Sequence, residues 1–296
     1  MNIQNTKILE GHKSSIYKLV YEPNSGILYS VGGEGWIVEW NPFENGDGQL
    51  LAKVPDQIFS FFVSDHYFLV GTFQGNFYVI DKNTKDVVFK EKAHSSGIFS
   101  LFSTQQYIYS LGGDGKIIRW RLSDFVKDEI VHLTAKPIRC HDINKNTLDL
   151  AVGSSDGNVY IVDFHSLYVK RIIENAHDRS IFSLLYCDDK LLTGGMDAKL
   201  KIWSPQNQYT LEESIDAHWF TINDILLTNN WMFTASRDKS IRCWSRKDFS
   251  PISTIKWGEL ENAHMNSVNS LAWSSEHNTL ISAGDDRTIR LWNILS

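Results

Sequence analysis

Gly115-Lys116-Ile117-Ile118-Arg119-Trp120 starts on a turn residue, alternates polar with apolar side chains and ends on tryptophan. Such alternation marks a half-buried strand. The pattern recurs at Gly35-Trp36-Ile37-Val38-Glu39-Trp40, Ala198-Lys199-Leu200-Lys201-Ile202-Trp203, Lys239-Ser240-Ile241-Arg242-Cys243-Trp244 and Arg287-Thr288-Ile289-Arg290-Leu291-Trp292. Two degenerate copies, Gly75-Asn76-Phe77-Tyr78-Val79-Ile80 and Gly157-Asn158-Val159-Tyr160-Ile161-Val162, fill the gaps. The terminal residues fall at 40, 80, 120, 162, 203, 244 and 292, so the spacings are 40, 40, 42, 41, 41 and 48. Seven units of about 42 residues account for the whole chain, and a period in this range decides the architecture before any single motif does.

Each unit reads as four short strands. In the third unit, Ile98-Phe99-Ser100-Leu101-Phe102 and Tyr107-Ile108-Tyr109-Ser110-Leu111 precede the tryptophan strand. In the second, Asp86-Val87-Val88-Phe89-Lys90 follows the corresponding strand. No stretch carries a helical apolar period. A four-stranded unit repeated at 40–45 residues is a propeller blade. One blade cannot bury both of its faces, whereas seven packed around an axis can. The expected fold is therefore all-β: one domain over residues 1–296, a seven-bladed β-propeller with four antiparallel strands per blade. The chain ends four residues after Trp292, leaving the seventh blade without an outer strand. Residues 5–10 are expected to supply it, closing the ring and covering an open edge.

Gly11-His12, Ala93-His94, Ala176-His177, Ala217-His218 and Ala263-His264 precede five of the tryptophans by 26 or 28 residues. With the period, these pairs resemble the WD-repeat β-propellers over essentially the whole chain. The resemblance is diverged. The five tryptophans are followed by Asn, Arg, Ser, Ser and Asn, and the second and fourth blades keep Asp81 and Asp163 without the tryptophan. It implies that His, Ser or Thr, Asp and Trp form a hydrogen-bond network inside a blade: His94, Ser110, Asp114 and Trp120; His177, Thr193, Asp197 and Trp203; His218, Thr234, Asp238 and Trp244; His264, Ser282, Asp286 and Trp292. Glu34 replaces Asp beside His12, Ser30 and Trp40. Ser-His-Asp is a hydrolase set by type, but four copies on one ring argue for structure. The second blade (Val54, Val70, Gln74, Ile80) and the fourth (Lys136, Val152, Asp156, Val162) lack the set. They are expected to rely on apolar packing and to be less rigid.

Composition narrows the function. Lys and Arg number 29 against 35 Asp and Glu, for a net charge of −6. That does not suit a general phosphate-neutralising nucleic-acid binder. No apolar run approaches the roughly 18 residues that would span a bilayer, and residues 1–7 carry no secretory signal. The three cysteines are far apart and form no CxxC pair, which indicates neither a disulfide framework nor a zinc site. His141-Asp142 is read as a structural pair. The expected setting is intracellular and cytoplasmic.

In the resembled family, three positions per repeat face one rim, the top. The residue after the first aliphatic of the inner strand is Tyr17, Phe59, Phe99, Arg139, Phe182, Asn223 and Asn269. The residue before that aliphatic is Ser15, Gln57, Gly97, Pro137, Ser180, Thr221 and Ser267. The residue before the turn acid is Gly33, Phe73, Gly113, Ser155, Met196, Arg237 and Asp285. From these, Tyr17, Phe59, Phe73, Phe99, Arg139, Phe182, Met196, Asn223, Arg237, Asn269 and Asp285 are taken as partner-binding candidates, because aromatic and Arg residues anchor interfaces. The expectation is a non-enzymatic scaffold or adaptor, a monomer or subunit of a hetero-complex, holding a peptide or loop of another protein there. It involves no cofactor, metal, catalytic residue, nucleic acid or membrane. The alternatives are a metal or acidic enzyme site at the channel, for which the mapped positions offer only Asp285, and a reader of a modified residue through an aromatic cage.

Overall fold

The computed structural model describes residues 2–295. Among them run 28 strands in seven four-stranded antiparallel sheets, and the fold is a seven-bladed β-propeller. Two compact units divide the chain. One, residues 1–58 and 218–296, holds the first, sixth and seventh blades. The other, residues 59–217, holds the third, fourth and fifth and nearly all of the second.

The third blade shows why the repeat folds as it does. Its strands are Ile98–Ser103, Tyr107–Gly112, Lys116–Arg121 and Lys127–His132. Side chains of the two middle strands leave on both faces, and both faces are covered. Tyr109, Leu111, Ile117, Ile118 and Trp120 are therefore all buried. The outer strand is covered less, and Ile130 stays exposed. The turn before the tryptophan strand needs a left-handed residue, and Gly115 supplies it with φ +75°. A Cβ there would also stand 1.6 Å from the Thr134 carbonyl of the next blade. The Gly115 carbonyl accepts the N–H groups of Leu133 and Thr134 at 2.9 and 3.3 Å, so this turn also links neighbouring blades.

The N-terminal strand closes the seventh blade. It runs Asn2–Leu9, starting earlier than the sequence indicated, and pairs antiparallel with Ile289–Leu295 from Asn2 opposite Leu295 to Leu9 opposite Ile289. The early start follows from Ile3, which is buried with Trp292, Ile294 and Phe233.

Carboxylates and hydroxyls join blades within each unit. Asp224 accepts the N–H of Leu271 at 2.8 Å, and Ser270 that of Leu19 at 3.1 Å. In the other unit Asp142 accepts the N–H of Tyr186 at 2.7 Å. Its neighbour His141 bonds Ser100 at 2.5 Å and stacks on Phe102, which gives His141-Asp142 the structural role expected of it.

Candidate interaction face

The networks come first, because they fix the face. Ser110 Oγ is 2.9 Å from His94 Nε2 and 3.0 Å from Trp120 Nε1, and His94 Nδ1 is 2.7 Å from Asp114. The indole donates to the hydroxyl, the hydroxyl to Nε2, and Nδ1–H to the carboxylate. Thr193, Thr234 and Ser282 repeat the arrangement. So does Ser30 with Glu34, whose longer side chain leaves Oε2 buried and unpartnered. These hydroxyls are fully buried, and each is occupied by its indole and imidazole. Burial by itself pushes the Asp114 carboxyl up. The bond and charge of His94, with the N–H groups of Ser95 and Lys116, outweigh this and bring it to about 2. Asp197 is lowered for the same reasons.

The fourth blade departs from the sequence reading. Thr134, not Lys136, stands at the histidine position, because the separation to Val162 is 28 residues, as in the first and seventh blades. Ile138 follows Thr134 by four residues, just as Ile98 follows His94. This blade does not rely on apolar packing alone. Asp156 accepts from Thr134 Oγ1 at 2.7 Å and from Tyr160 OH at 2.8 Å. The second blade does present apolar groups, with Val54, Val70 and Ile80 all buried.

The inner strands then aim the candidate residues. Ile16, Ile58, Ile98, Ile138, Ile181, Ile222 and Val268 are all fully buried. In six sheets the pairing shifts register just after this residue, so that Tyr17, Phe99, Arg139, Phe182, Asn223 and Asn269 are the extra residues of β-bulges. A bulge re-aims its side chain out of the alternation. The N–H of the residue before the turn acid bonds the carbonyl before the aliphatic: Gly33 to Ser15, Gly113 to Gly97, Ser155 to Pro137, Met196 to Ser180, Arg237 to Thr221 and Asp285 to Ser267. The three sequence-mapped rows therefore meet in those blades.

In the unit of residues 59–217 Phe59 and Phe73 join the bulge residues Phe99, Arg139 and Phe182 in a chain of contacts. Phe59 lies 5.4 Å from Phe73 and 5.7 Å from Phe99, the latter edge-on. The Arg139 guanidinium lies 4.2 Å from the Phe99 ring and 5.3 Å from that of Phe182. Gly113 leaves room for the Phe99 ring, from which a Cβ there would stand 2.9 Å. Phe59, Phe99, Arg139 and Phe182 are half-buried, while Phe73 and Met196 are exposed. Burial pushes the Arg139 guanidinium down from its ordinary value.

In the other unit the same positions are Tyr17, Asn223 and Asn269. Asn223 Nδ2 donates to Val268 O at 2.8 Å and to Ser267 Oγ at 3.0 Å. Asn269 Nδ2 donates to Ile16 O at 3.0 Å and to Asp285 Oδ1 at 2.8 Å. Burial and then the charge of Asp285 push the Tyr17 phenol up. Arg237 is exposed.

Comparison with known proteins gives the lineage. The family described as WD domain, G-beta repeat matches residues 169–204, 209–245 and 251–293. These segments cover the outer strand of the fourth blade, the fifth and sixth blades and the seventh without its N-terminal strand, in a fold that repeats the same unit throughout.

The chain is a β-propeller that carries WD repeats.

Among solved structures, this propeller is similar to the WD40 beta propeller domain of Doa1. The TM-score is 0.85 at 14% identity, covering 100% of this chain and 98% of the other, a likeness of fold. It is 25% identical over 168 residues to protein transport protein sec13 of Aspergillus fumigatus, covering 48% of this chain and 54% of that protein. It is 26% identical over 191 residues to the SEC13 homolog of Drosophila melanogaster, covering 51% and 52%. The chain thus spans about half the length of these curated relatives. Against the kinesin-like protein KIF21B of Mus musculus, 23% identity runs over 98% of this chain but 16% of that protein.

The propeller also presents residues that the strand mapping missed. Trp219 is 82% and Phe220 58% exposed. Both follow His218, where the Asp238 carboxylate takes the Trp219 N–H at 3.0 Å. Asp286 holds the Met265 N–H in the same way at 3.3 Å, and Met265 is 52% exposed. The network acid pins the backbone after its histidine and turns that side chain outward. The histidine positions were therefore the signal for these residues. Among the described residues no group of three or more His, Cys, Asp or Glu could hold a metal ion. No helix there is long and apolar enough to cross a membrane.

Proposed function

We propose that this propeller is a non-enzymatic protein-interaction scaffold, and that the rim of bulge residues on blades two to five takes an extended segment or loop of another protein. The observation that carries this reading is the continuous run Phe73–Phe59–Phe99–Arg139–Phe182. Half-exposed rings at successive blades cost solvation unless something covers them. Aromatic residues with an arginine among them are the composition of interface anchors. Blade edges already closed by hydrogen bonds give the rings a rigid support, so little ordering cost is left for binding. Relatives described as protein transport proteins are consistent with a role among other proteins. The occupied, buried hydroxyls of the His networks support the absence of hydrolase chemistry.

The test is affinity capture with the wild-type chain and with a Phe59→Ala, Phe99→Ala, Phe182→Ala triple variant of equal melting temperature. Proteins recovered by the wild type and lost by the variant are the expected result. Recovery of the same proteins in the same yield sinks the assignment of this rim.

A further inference from the structure

Arg139 differs from every other member of the run. It is charged, half-buried and clasped between the rings of Phe99 and Phe182 at 4.2 and 5.3 Å. Its single hydrogen bond among the described residues runs from Nε to Ser155 Oγ, at 2.9 Å. Among the described residues no carboxylate forms an ion pair with it. Two other arginines of the same unit are paired with acids, Arg119 with Asp128 at 2.6 Å and Glu129 at 2.8 Å, and Arg121 with Asp124 at 2.8 Å, while Arg171 is exposed to solvent and bonds Gln208. A partly desolvated cation without a counter-ion is an expense the fold does not need, since a methionine or leucine would fill the same slot between two rings. With Nε held by Ser155, the edge carrying the two terminal nitrogens is the one left to bind, and that edge matches a carboxylate in two parallel hydrogen bonds.

We propose that Arg139 is a carboxylate-binding residue, so that the segment held on this rim carries an Asp or Glu side chain flanked by apolar residues. This inference rests on the rim reading above and sharpens it. The flanking apolar residues would lie on Phe59, Phe73 and Phe182. A single arginine in an otherwise uncharged run suits one negative charge. A phosphate, with its second charge and third oxygen, is bound by clustered arginines, and the nearest blades offer no second one on this run.

The experiment uses the full chain and an immobilised array of ten-residue peptides. Each has a central Glu, Gln, phosphoserine or Lys between randomised Leu, Phe, Ile and Val positions. The wild type should prefer central Glu to Gln by about tenfold or more. Arg139→Met keeps the stem between the rings. It should erase that preference while still capturing apolar peptides, and Arg139→Lys should retain only part of it. Should Arg139→Met fold poorly, the Lys variant and the Glu-to-Gln ratio of the wild type carry the test. Equal capture of Glu and Gln peptides overturns the carboxylate proposal and leaves the apolar rim standing. A stronger, Arg139-dependent preference for phosphoserine overturns it in favour of a phosphate. No capture of any peptide overturns both readings.

Discussion

The two units use one backbone device for opposite ends. In each, a fully buried aliphatic residue is followed by a bulge that throws the next side chain outward. In residues 59–217 that side chain is Phe99, Arg139 or Phe182, with Arg139 between the two rings and Phe59 edge-on to Phe99. In blades six and seven of the other unit it is Asn223 or Asn269, which donates to the backbone carbonyl of the following blade. The asparagines are engaged within the fold, while the rings stay partly exposed. A mapped rim position is therefore not equivalent to a binding position. What the side chain already touches divides the row into braces and anchors, and we propose the anchoring role for the aromatic arc.

The largest expected effect falls on the braced unit. Removing residues 1–10 opens the edge of Ile289–Leu295 and strips cover from the core around Ile3 and Leu9, both buried. Two buried aliphatic side chains and a strand's hydrogen bonds amount to on the order of 5 kcal/mol. Hydrogen exchange should show protection lost first in blades one, six and seven. A truncated chain that melts with the full-length one breaks the comparison at its root.

A pair of point variants probes the contrast directly. Asn269→Ala orphans the Ile16 carbonyl and removes a partner of Asp285, at a cost of about 1–3 kcal/mol. Phe59→Ala removes a half-exposed ring and should cost less in urea unfolding, but it should weaken partner capture more. If the two variants exchange these outcomes, the division into braces and anchors is wrong.

Acid probes a device that the two units share. Glu34, Asp238 and Asp286 in one unit, and Asp114 and Asp197 in the other, are all held below the ordinary carboxylate range by their histidines against the opposing effect of burial. A depressed folded pKa contributes stability that is complete above the unfolded value of roughly 4 and is lost as pH falls through the folded one. For Asp114 that value is about 2. Urea midpoints should therefore drop between about pH 4 and 2, and Asp114→Asn should flatten the drop. An unchanged slope in that variant would remove the network from the account of acid stability.

The seven repeats were legible because strand alternation, turn and tryptophan recur together, and because a propeller offers the same environment seven times. The bulge row was legible for the same reason. Thr134 was misread because Val162 had been matched to the 26-residue separation when this blade has 28. The threonine carries no histidine signature, and its bond to Asp156 replaces an aromatic network with a phenol from Tyr160. The early start of the first strand was hidden because Ile3 is a lone apolar residue among polar ones, buried only once Trp292 and Phe233 come beside it. Trp219 and Phe220 lay outside the strands that were mapped. Their exposure follows from a carboxylate-to-backbone bond, which sequence alternation does not report.

Trp219 gives the smallest expected effect on stability and the sharpest control. Ten tryptophans occur in the chain, and burial sorts them. Trp120 is fully buried with its indole N–H bonded to Ser110, whereas Trp219 is 82% exposed and held only by its backbone. Trp219→Ala should therefore shift the urea midpoint by no more than about 0.5 kcal/mol equivalent. Trp120→Ala should cost about 3–5 kcal/mol. If Trp219→Ala destabilises comparably, its ring is packed in solution, and the outward-turning role given to Asp238 fails. If stability holds and partner capture falls, the unit containing the polar arc has an anchor of its own, and the contrast between the two arcs narrows to the bulge row.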